Sequence, residues 1–490
     1  MKRIFSNPVF ALAAGFCLRL FFVLEFPATS GDTAIYEEIA ANWWKRHAYA
    51  MDIHGTLTPV DLRMPGYPGF LAVIFALTGK TGESARLWVM LGQVAVDIVG
   101  AIFCVWLAGL LLVLGDPRAR QARVLRTAWW LAMLCPFTAN YTAVPLTEVF
   151  AVALTSMAMV FLVGLTGSAD EAVFPKQRGA WEWNNDFRHW AVPSGLVVGL
   201  ATLFRPESPL ILIVGWGVTA VQLLPRGKSE MWLRIVAYSG IACILPLAPW
   251  AIRNAVTFHE VQFLTPKYST LPGELVPKGF MAWEKTWLYR MRDCYAVPWK
   301  LGEEAIEVKE IPARAFDSPE EKQRVAAILE KYNDELSLTA EEDAAFGQIA
   351  RERSARHPLR TYLWIPVARA VTIWFSPRIE LLPISGNVFP LRQMRDEDPE
   401  DQEFTILLFL LNVVYVSLGA WGAATLCTWK APGRAAAALL LLFFATRTAF
   451  LTTLETPEPR YVLECFPALI ALGAVAIAGR KYKADEALQG

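Results

Sequence analysis

Ten apolar runs alternate with polar stretches along the chain, at 8–27, 84–114, 127–144, 146–166, 190–204, 208–224, 232–252, 404–428, 435–453 and 461–479. A helix rises 1.5 Å per residue and needs about 17–25 apolar residues to cross ~30 Å of hydrocarbon. The pattern therefore predicts an all-α polytopic membrane protein with a bundle of about 10 transmembrane helices, within a range of 10–13. Two further apolar stretches do not fit it. Residues 66–78 are too few to span, and 359–382 carry Arg360, Arg369, Arg378 and Glu380. Both read as interfacial helices lying along the membrane surface.

Composition supports a membrane setting. Of 490 residues 54% are hydrophobic and 19% charged, there are 19 Trp and 28 Phe, and the mean hydropathy is +0.34, too apolar for a soluble enzyme of this size. The formal charge is zero, so net charge says nothing about a nucleic-acid partner, and none is expected. The distribution of basic residues is more informative. Lys2 and Arg3, then Arg118, Arg120, Arg123 and Arg126, then Lys176, Arg178 and Arg188, then Arg226, Lys228 and Arg234, then Lys430 and Arg434, and finally Arg480, Lys481 and Lys483 all fall on one side if the ten spans alternate. That side is expected to be the cytoplasm, with both termini in it. If 66–78 and 359–382 both crossed, the loop with Arg118 to Arg126 would lie outside. The first run is read as a retained span, because it is long for a signal peptide and is interrupted by Arg19. Six of the seven cysteines lie in apolar runs and Cys294 stands alone in a polar segment, so an internal disulfide or a Cys/His metal site is not expected there.

On this topology three domains follow. Residues 1–254 form an N-terminal transmembrane catalytic module whose first external loop is 28–83, residues 255–403 an external insertion, and 404–490 a C-terminal transmembrane module. Between Lys300 and Arg356 the insertion is rich in Glu, Lys, Arg and Ala, which predicts helix, with a start signal at Ser318-Pro319-Glu320-Glu321.

The candidate chemistry gathers on the external face. Ser30-Gly31-Asp32-Thr33 opens a segment with apolar residues at helical spacing up to Arg46, so Asp32 is expected at the start of an amphipathic surface helix that Asp32 or Thr33 caps. A cap alone would need no Gly31. Arg63-Met64-Pro65-Gly66-Tyr67-Pro68 is a rigid turn that can hold Arg63 and Tyr67 in place. Thr147-Glu148, Arg205-Pro206-Glu207, Trp250 to Asn254 with Arg253, and Glu458-Pro459-Arg460-Tyr461 each lie at an outer end of a span. Ionisable groups at membrane depth mark sites or pair with each other. Arg19 and Asp97 lie deeper and read as a mutual contact.

The ordered series Arg19, GDTAIYEEIA, RMPGYPGFLA, Pro136-Phe137, Pro145-Leu146-Thr147-Glu148, Phe204-Arg205-Pro206-Glu207, Pro249-Trp250-x-x-Arg253-Asn254 and Pro459-Arg460-Tyr461 resembles the bacterial integral-membrane glycosyltransferases of the GT-C fold. It is most similar to the family 39/83 type, with protein O-mannosyltransferases and the lipid A aminoarabinose transferase. The resemblance covers residues 1 to about 255 and 404 to 480. It implies an inverting hexosyl- or pentosyltransferase of the bacterial inner membrane. A sugar would move from a polyprenyl-phosphate donor to an acceptor hydroxyl or amine on the external face, with membrane lipid as a further partner. By that resemblance Asp32 is the general base, and Arg205, Arg253 and Arg460 are the residues for the donor phosphate, because a guanidinium matches phosphate bidentately. Arg63, Tyr67, Glu148 and Glu207 would position donor or acceptor. Many relatives carry an Asp-Glu pair where Thr33 follows Asp32 here. Use of a divalent cation stays open, with Glu37 or Glu148 as the acids that would hold it. The rival reading is a lipid or solute transporter or flippase whose pathway the same residues line. A third is a scaffold whose external domain recruits partners.

Overall fold

A computed structural model describes residues 7–115, 121–168, 186–268, 270, 274–386, 388–389, 398–428 and 431–487. Lys2, Arg3, Arg118, Arg120, Lys176, Arg178 and Lys430 of the basic clusters lie outside the described residues, as do the side chains of Arg480, Lys481 and Lys483. The chain divides into two compact units. The first comprises 1–266, 377–444 and 463–490, the second 267–376 and 445–462.

The first unit is helical apart from one hairpin. Its helices are α1 (Pro8–Glu25), α2 (Gly31–Arg46), α3 (Gly66–Thr78), α4 (Arg86–Gly115), α5 (Gln121–Met133), α6 (Pro136–Tyr141), α7 (Glu148–Ser168), α8 (Arg188–Thr202), α9 (Leu210–Leu223) and α10 (Ser229–Phe258). Strands β1 (Ala50–Ile53) and β2 (Thr56–Pro59) pair antiparallel between α2 and α3, with Ala50 opposite Pro59. His54 and Gly55 at the tip both have positive φ, the backbone that a two-residue hairpin turn requires.

Among the described residues seven helices are long and apolar enough to cross a membrane: α1, α4 with the turn before it, α7, α10, and in the C-terminal part Pro399–Cys427, Pro432–Leu451 and Pro459–Ile477. This is a multi-pass membrane protein. The other three expected spans are shorter helices. The 127–144 run is broken between Met133 and Pro136, since proline cannot continue the preceding turn's hydrogen bonds; α8 has 15 residues and α9 has 14. The 66–78 stretch forms a single 13-residue helix with the expected bounds.

Within the bundle α4 packs on α7, α8 on α7 and α10, and α2 on α3. Helix α1 is bonded into it. Arg19, fully buried, places NH2 2.5 Å from Asp97 on α4 and donates NH1 to the carbonyls of Gly15 and Met133. The pair expected between Arg19 and Asp97 is therefore present, and an apolar surrounding keeps such a pair closed.

The second unit contains α11 (Lys278–Glu284), α12 (Met291–Ala296), α13 (Pro319–Glu335), α14 (Ala340–Arg356) and α15 (Ile365–Trp374). Its core is aromatic, with Phe280, Trp283, Trp287, Tyr332 and Phe346 fully enclosed. The Ser318 hydroxyl accepts from the Glu321 N–H, so the start signal works as expected. The helix expected from Lys300 does not begin until Pro319. Gly302 at φ +82° and Pro312 make 301–317 a run of turns with one short 3-10 piece, Ala313–Ala315, instead. Arg369 on α15 donates to the carbonyls of Leu288, Thr452, Leu454 and Glu455, so a charged residue in the 359–382 stretch satisfies loop carbonyls, three of them just beyond the helix that ends at Leu451. That stretch is helical only to Trp374, and Arg378 beyond it adopts φ +60°. After 377 the chain rejoins the first unit, which also holds α16 (Pro399–Cys427), the first part of α17 (Ala431–Leu451), and α18 (Phe466–Ala487) packed on α16.

Candidate active site

Helix α2 starts two residues earlier than a cap at Asp32 would give. Ser30 is the N-cap residue, and its N–H donates to Thr33 Oγ1 at 3.1 Å, the reciprocal half of a capping box. Thr33 Oγ1 also donates to the Pro145 carbonyl at 3.3 Å. Asp32 is thus released from capping and sits in the first helical turn, where the helix dipole favours its negative charge. A Cβ on Gly31 would meet nothing within 4 Å, so steric need does not explain the glycine there.

The second element is the Arg63 to Pro68 turn. Gly66 donates its N–H to the Leu203 carbonyl at 2.8 Å, and a Cβ on Gly66 would lie 2.5 Å from that oxygen. Only glycine permits this approach. It brings the turn onto the segment that leads into Arg205. Phe204 then stacks flat on Phe150 of α7, with centroids 4.6 Å apart and planes 7° from parallel.

Two acid–arginine pairs result. Arg63 NH2 lies 2.6 Å from Asp32 Oδ1, with the side chains 18% and 35% exposed, and Arg205 NH2 lies 2.7 Å from Glu148 Oε1, with 15% and 4% exposed. Both pairs act electrostatically on Tyr36, which feels Asp32, Arg63, Arg205 and Glu148 together. Burial and then the Asp32 charge push the Tyr36 phenol up to about 12, so it keeps its proton at neutral pH. Burial alone would lower the Arg63 pKa, but Asp32 and Tyr36 outweigh it and raise the value, so this guanidinium stays charged. The Arg63 guanidinium lies 5.9 Å from the Tyr36 ring, and Tyr36 meets Tyr67 edge-on at 5.1 Å.

The remaining candidates are placed as follows. Tyr67 is fully buried and donates its hydroxyl to Gln93 Oε1 at 2.7 Å. Glu207 is half-buried in the turn after Arg205. Arg253 donates to Asn254 Oδ1 and to the Tyr49 carbonyl and is ringed by Tyr49, Trp250 and Phe258 at 4.9–5.3 Å. Arg460 belongs to the second unit, where its Nε is 2.5 Å from Glu458 Oε2 and its guanidinium stacks on Tyr461. Glu37 is held by Arg86 through two bonds of 2.8 and 3.0 Å, and Glu38 accepts from the Asp52 N–H at the hairpin. Sequence reasoning missed Arg86 as a partner, Gln93, and the pairing of Glu148 with Arg205. The first and third were visible only as charges at the outer ends of spans, and Gln93 as a lone amide in an apolar run.

The two acids named for a divalent cation are both bonded to arginines. Glu37 and Glu148 each carry an arginine, and no group of three or more His, Cys, Asp or Glu that could hold a metal gathers among the described residues.

Neither a protein-family description nor a curated protein matches this sequence. Solved structures do. The oligosaccharyltransferase AglB of Archaeoglobus fulgidus, solved with an inhibitory peptide and a dolichol-phosphate, is 11% identical with a TM-score of 0.48, over 98% of this chain and 51% of that one. ArnT of Cupriavidus metallidurans bound to undecaprenyl phosphate is 15% identical with a TM-score of 0.38, over 98% of this chain and 79% of that one. Both are glycosyltransferases of the GT-C fold, the group that the sequence motifs resemble. The chain spans about half the length of the archaeal protein.

Proposed function

We propose that this protein is an inverting glycosyltransferase that moves a sugar from a polyprenyl-phosphate carrier to an acceptor hydroxyl or amine at the outer face of the bacterial inner membrane. The observation that carries the reading is the convergence on Tyr36 of two carboxylates from different parts of the chain, each with its own arginine.

The roles divide by exposure. Asp32 is 35% exposed and within reach of an incoming nucleophile, whereas Glu148 at 4% is closed off. Asp32 is therefore the general base. It takes the proton as the acceptor oxygen or nitrogen bonds to the anomeric carbon, and the bond from that carbon to the phosphate oxygen breaks on the opposite face, inverting the centre. The phosphate leaves as an anion and needs cations rather than an acid. Arg205 is the leading residue for it, with Glu148 orienting the guanidinium. Arg63 orients Asp32, and Arg253, in the same unit, is a secondary candidate for the phosphate. Tyr36, protonated, stands as a neutral donor among the four charges.

Comparison of cell-envelope glycans and lipids by mass spectrometry, with and without the protein, tests the activity. A sugar-bearing species that disappears with the protein and returns with the wild type but not with Asp32→Asn is the expected result. An unchanged envelope, or full activity in Asp32→Asn, defeats the reading.

A further inference from the structure

The residues around Tyr36 come from four elements, and one buried amide bonds directly to the segments of two of them. Gln93 stands near the outer start of α4 and none of its side chain is exposed. Its Oε1 accepts the Tyr67 hydroxyl at 2.7 Å. Its Nε2 donates to the carbonyls of Val144 at 2.8 Å, Thr142 at 3.1 Å and Tyr141 at 3.4 Å. Donor and acceptor sides of the amide are both used, as a polar group in an apolar bundle requires.

The turn that receives these bonds is itself a junction. The Ala143 carbonyl accepts the Ala28 N–H at 3.1 Å and the Pro145 carbonyl accepts Thr33 Oγ1 at 3.3 Å. All five carbonyls from Tyr141 to Pro145 are therefore bonded. The Tyr141 hydroxyl donates to Glu380 Oε1 at 2.8 Å, which fastens the turn from its other side. Three residues after Pro145 comes Glu148, and one residue before Thr33 comes Asp32. Tyr67 and Arg63 share the rigid turn that Gly66 presses onto Leu203. A shift of Gln93 would move the Arg63 turn relative to both Asp32 and Glu148.

We infer that Gln93 is a positioning residue: with the carbonyls of Tyr141 to Val144 it forms a buried frame that sets the spacing of the Asp32–Arg63 and Glu148–Arg205 pairs. Its effect on rate rests on the glycosyl-transfer reading; its effect on spacing does not. The frame acts by holding the pairs without touching the reacting atoms, and a misplacement of about 1 Å at a reacting centre lowers rate by about a hundredfold.

The test uses full-length protein in detergent with Cys17 and Cys427 replaced by Ala, since these two are the exposed cysteines. An Asp32→Cys/Arg63→Cys pair is cross-linked with a short bis-methanethiosulfonate, with and without Gln93→Leu. Separately, Gln93→Leu and Tyr67→Phe are assayed in membranes for consumption of undecaprenyl-phosphate hexoses and pentoses, and for binding of undecaprenyl phosphate itself. Gln93→Leu is expected to lower the cross-link yield at least about twofold and kcat about tenfold or more, with the Kd for undecaprenyl phosphate changed less than about twofold. Tyr67→Phe, which removes only the hydroxyl and keeps the packing, is expected to move rate in the same direction. Unchanged yield and unchanged kcat per folded molecule would overturn the inference. If the parent consumes no lipid-linked sugar while the yield still falls, the glycosyl-transfer reading fails and the frame stands. Should Gln93→Leu not fold, Tyr67→Phe decides, introduced into the same cysteine pair.

Discussion

Acid–arginine pairs occur in both units, and they do different work. In the second unit Asp317 faces Arg353, Arg356 and Arg360, and Glu321 faces Arg353 and Arg356, with the two carboxylates 7% and 3% exposed. Arg353 and Arg356 end α14, Glu321 lies in the first turn of α13, and Arg360 begins the next helical stretch, so the network staples three segments. Around Tyr36 each pair has Oδ1 or Oε1 on one guanidinium, and Asp32 stays a third exposed. The same residue types make a staple where several arginines share each acid, and a candidate reaction site where an accessible acid lies beside a packed aromatic cluster. The exposure of the acid separates the two, 35% at Asp32 against 7% at Asp317; residue identity does not.

The largest expected effect separates them directly. Asp32→Asn should lower sugar transfer by about 10²- to 10⁴-fold, the usual share of a general base, and leave the melting temperature in detergent close to that of the wild type. The counterpart in the staple is Asp317→Asn. It should cost about 3 kcal/mol of stability, because three arginines lose a buried anion, while turnover per folded molecule stays unchanged. Chemical unfolding followed by the tryptophans of the second unit measures it. Arg205→Lys comes next: it keeps the charge but loses the planar fork, so transfer should fall about tenfold with little change in stability. Equal activity of the lysine variant would remove Arg205 from the phosphate.

The smallest effect is one of pH. Burial would raise the Asp317 pKa, but Arg360, Arg353 and Arg356 outweigh it and hold the carboxyl below the ordinary value of about 3.9. A depressed folded-state pKa means that its stabilisation is complete at neutral pH and is lost as the pH falls below about 4. The stability gap between wild type and Asp317→Asn should therefore be constant above about pH 5 and shrink as the pH falls below about 4. A gap independent of pH would mean that the carboxylate charge contributes nothing.

Much of the fold was legible because hydrocarbon leaves few options. A backbone in lipid must bond within its own segment, so each long apolar run is a helix, and the ten runs appear as helical segments. Where the pattern failed, local chemistry had intervened: Pro136 divided one run, and Gly302 and Pro312 delayed the helix expected from Lys300. The β1–β2 hairpin went unread because its strands of four residues are too short for alternation to show.

The candidate site was half legible. Asp32, Arg63, Glu148 and Arg205 could be picked out from the sequence because charges at the ends of apolar runs are conspicuous, and Pro-Gly-Tyr-Pro announced a rigid turn. Their pairing was not readable. Asp32 and Arg63 lie 31 residues apart and Glu148 and Arg205 57, and which charge meets which depends on how helices pack. Glu37, offered by the sequence only as an acid that could hold a cation, is bonded to Arg86, and Arg253 is enclosed by three rings. The sequence by itself determined the helices, the membrane setting and the short roster of charged residues, because these follow from local hydropathy and backbone hydrogen bonding. Only the tertiary structure decided which acid stayed accessible and which arginine it met, since both depend on close approaches, such as Gly66 to Leu203, between segments far apart in the chain.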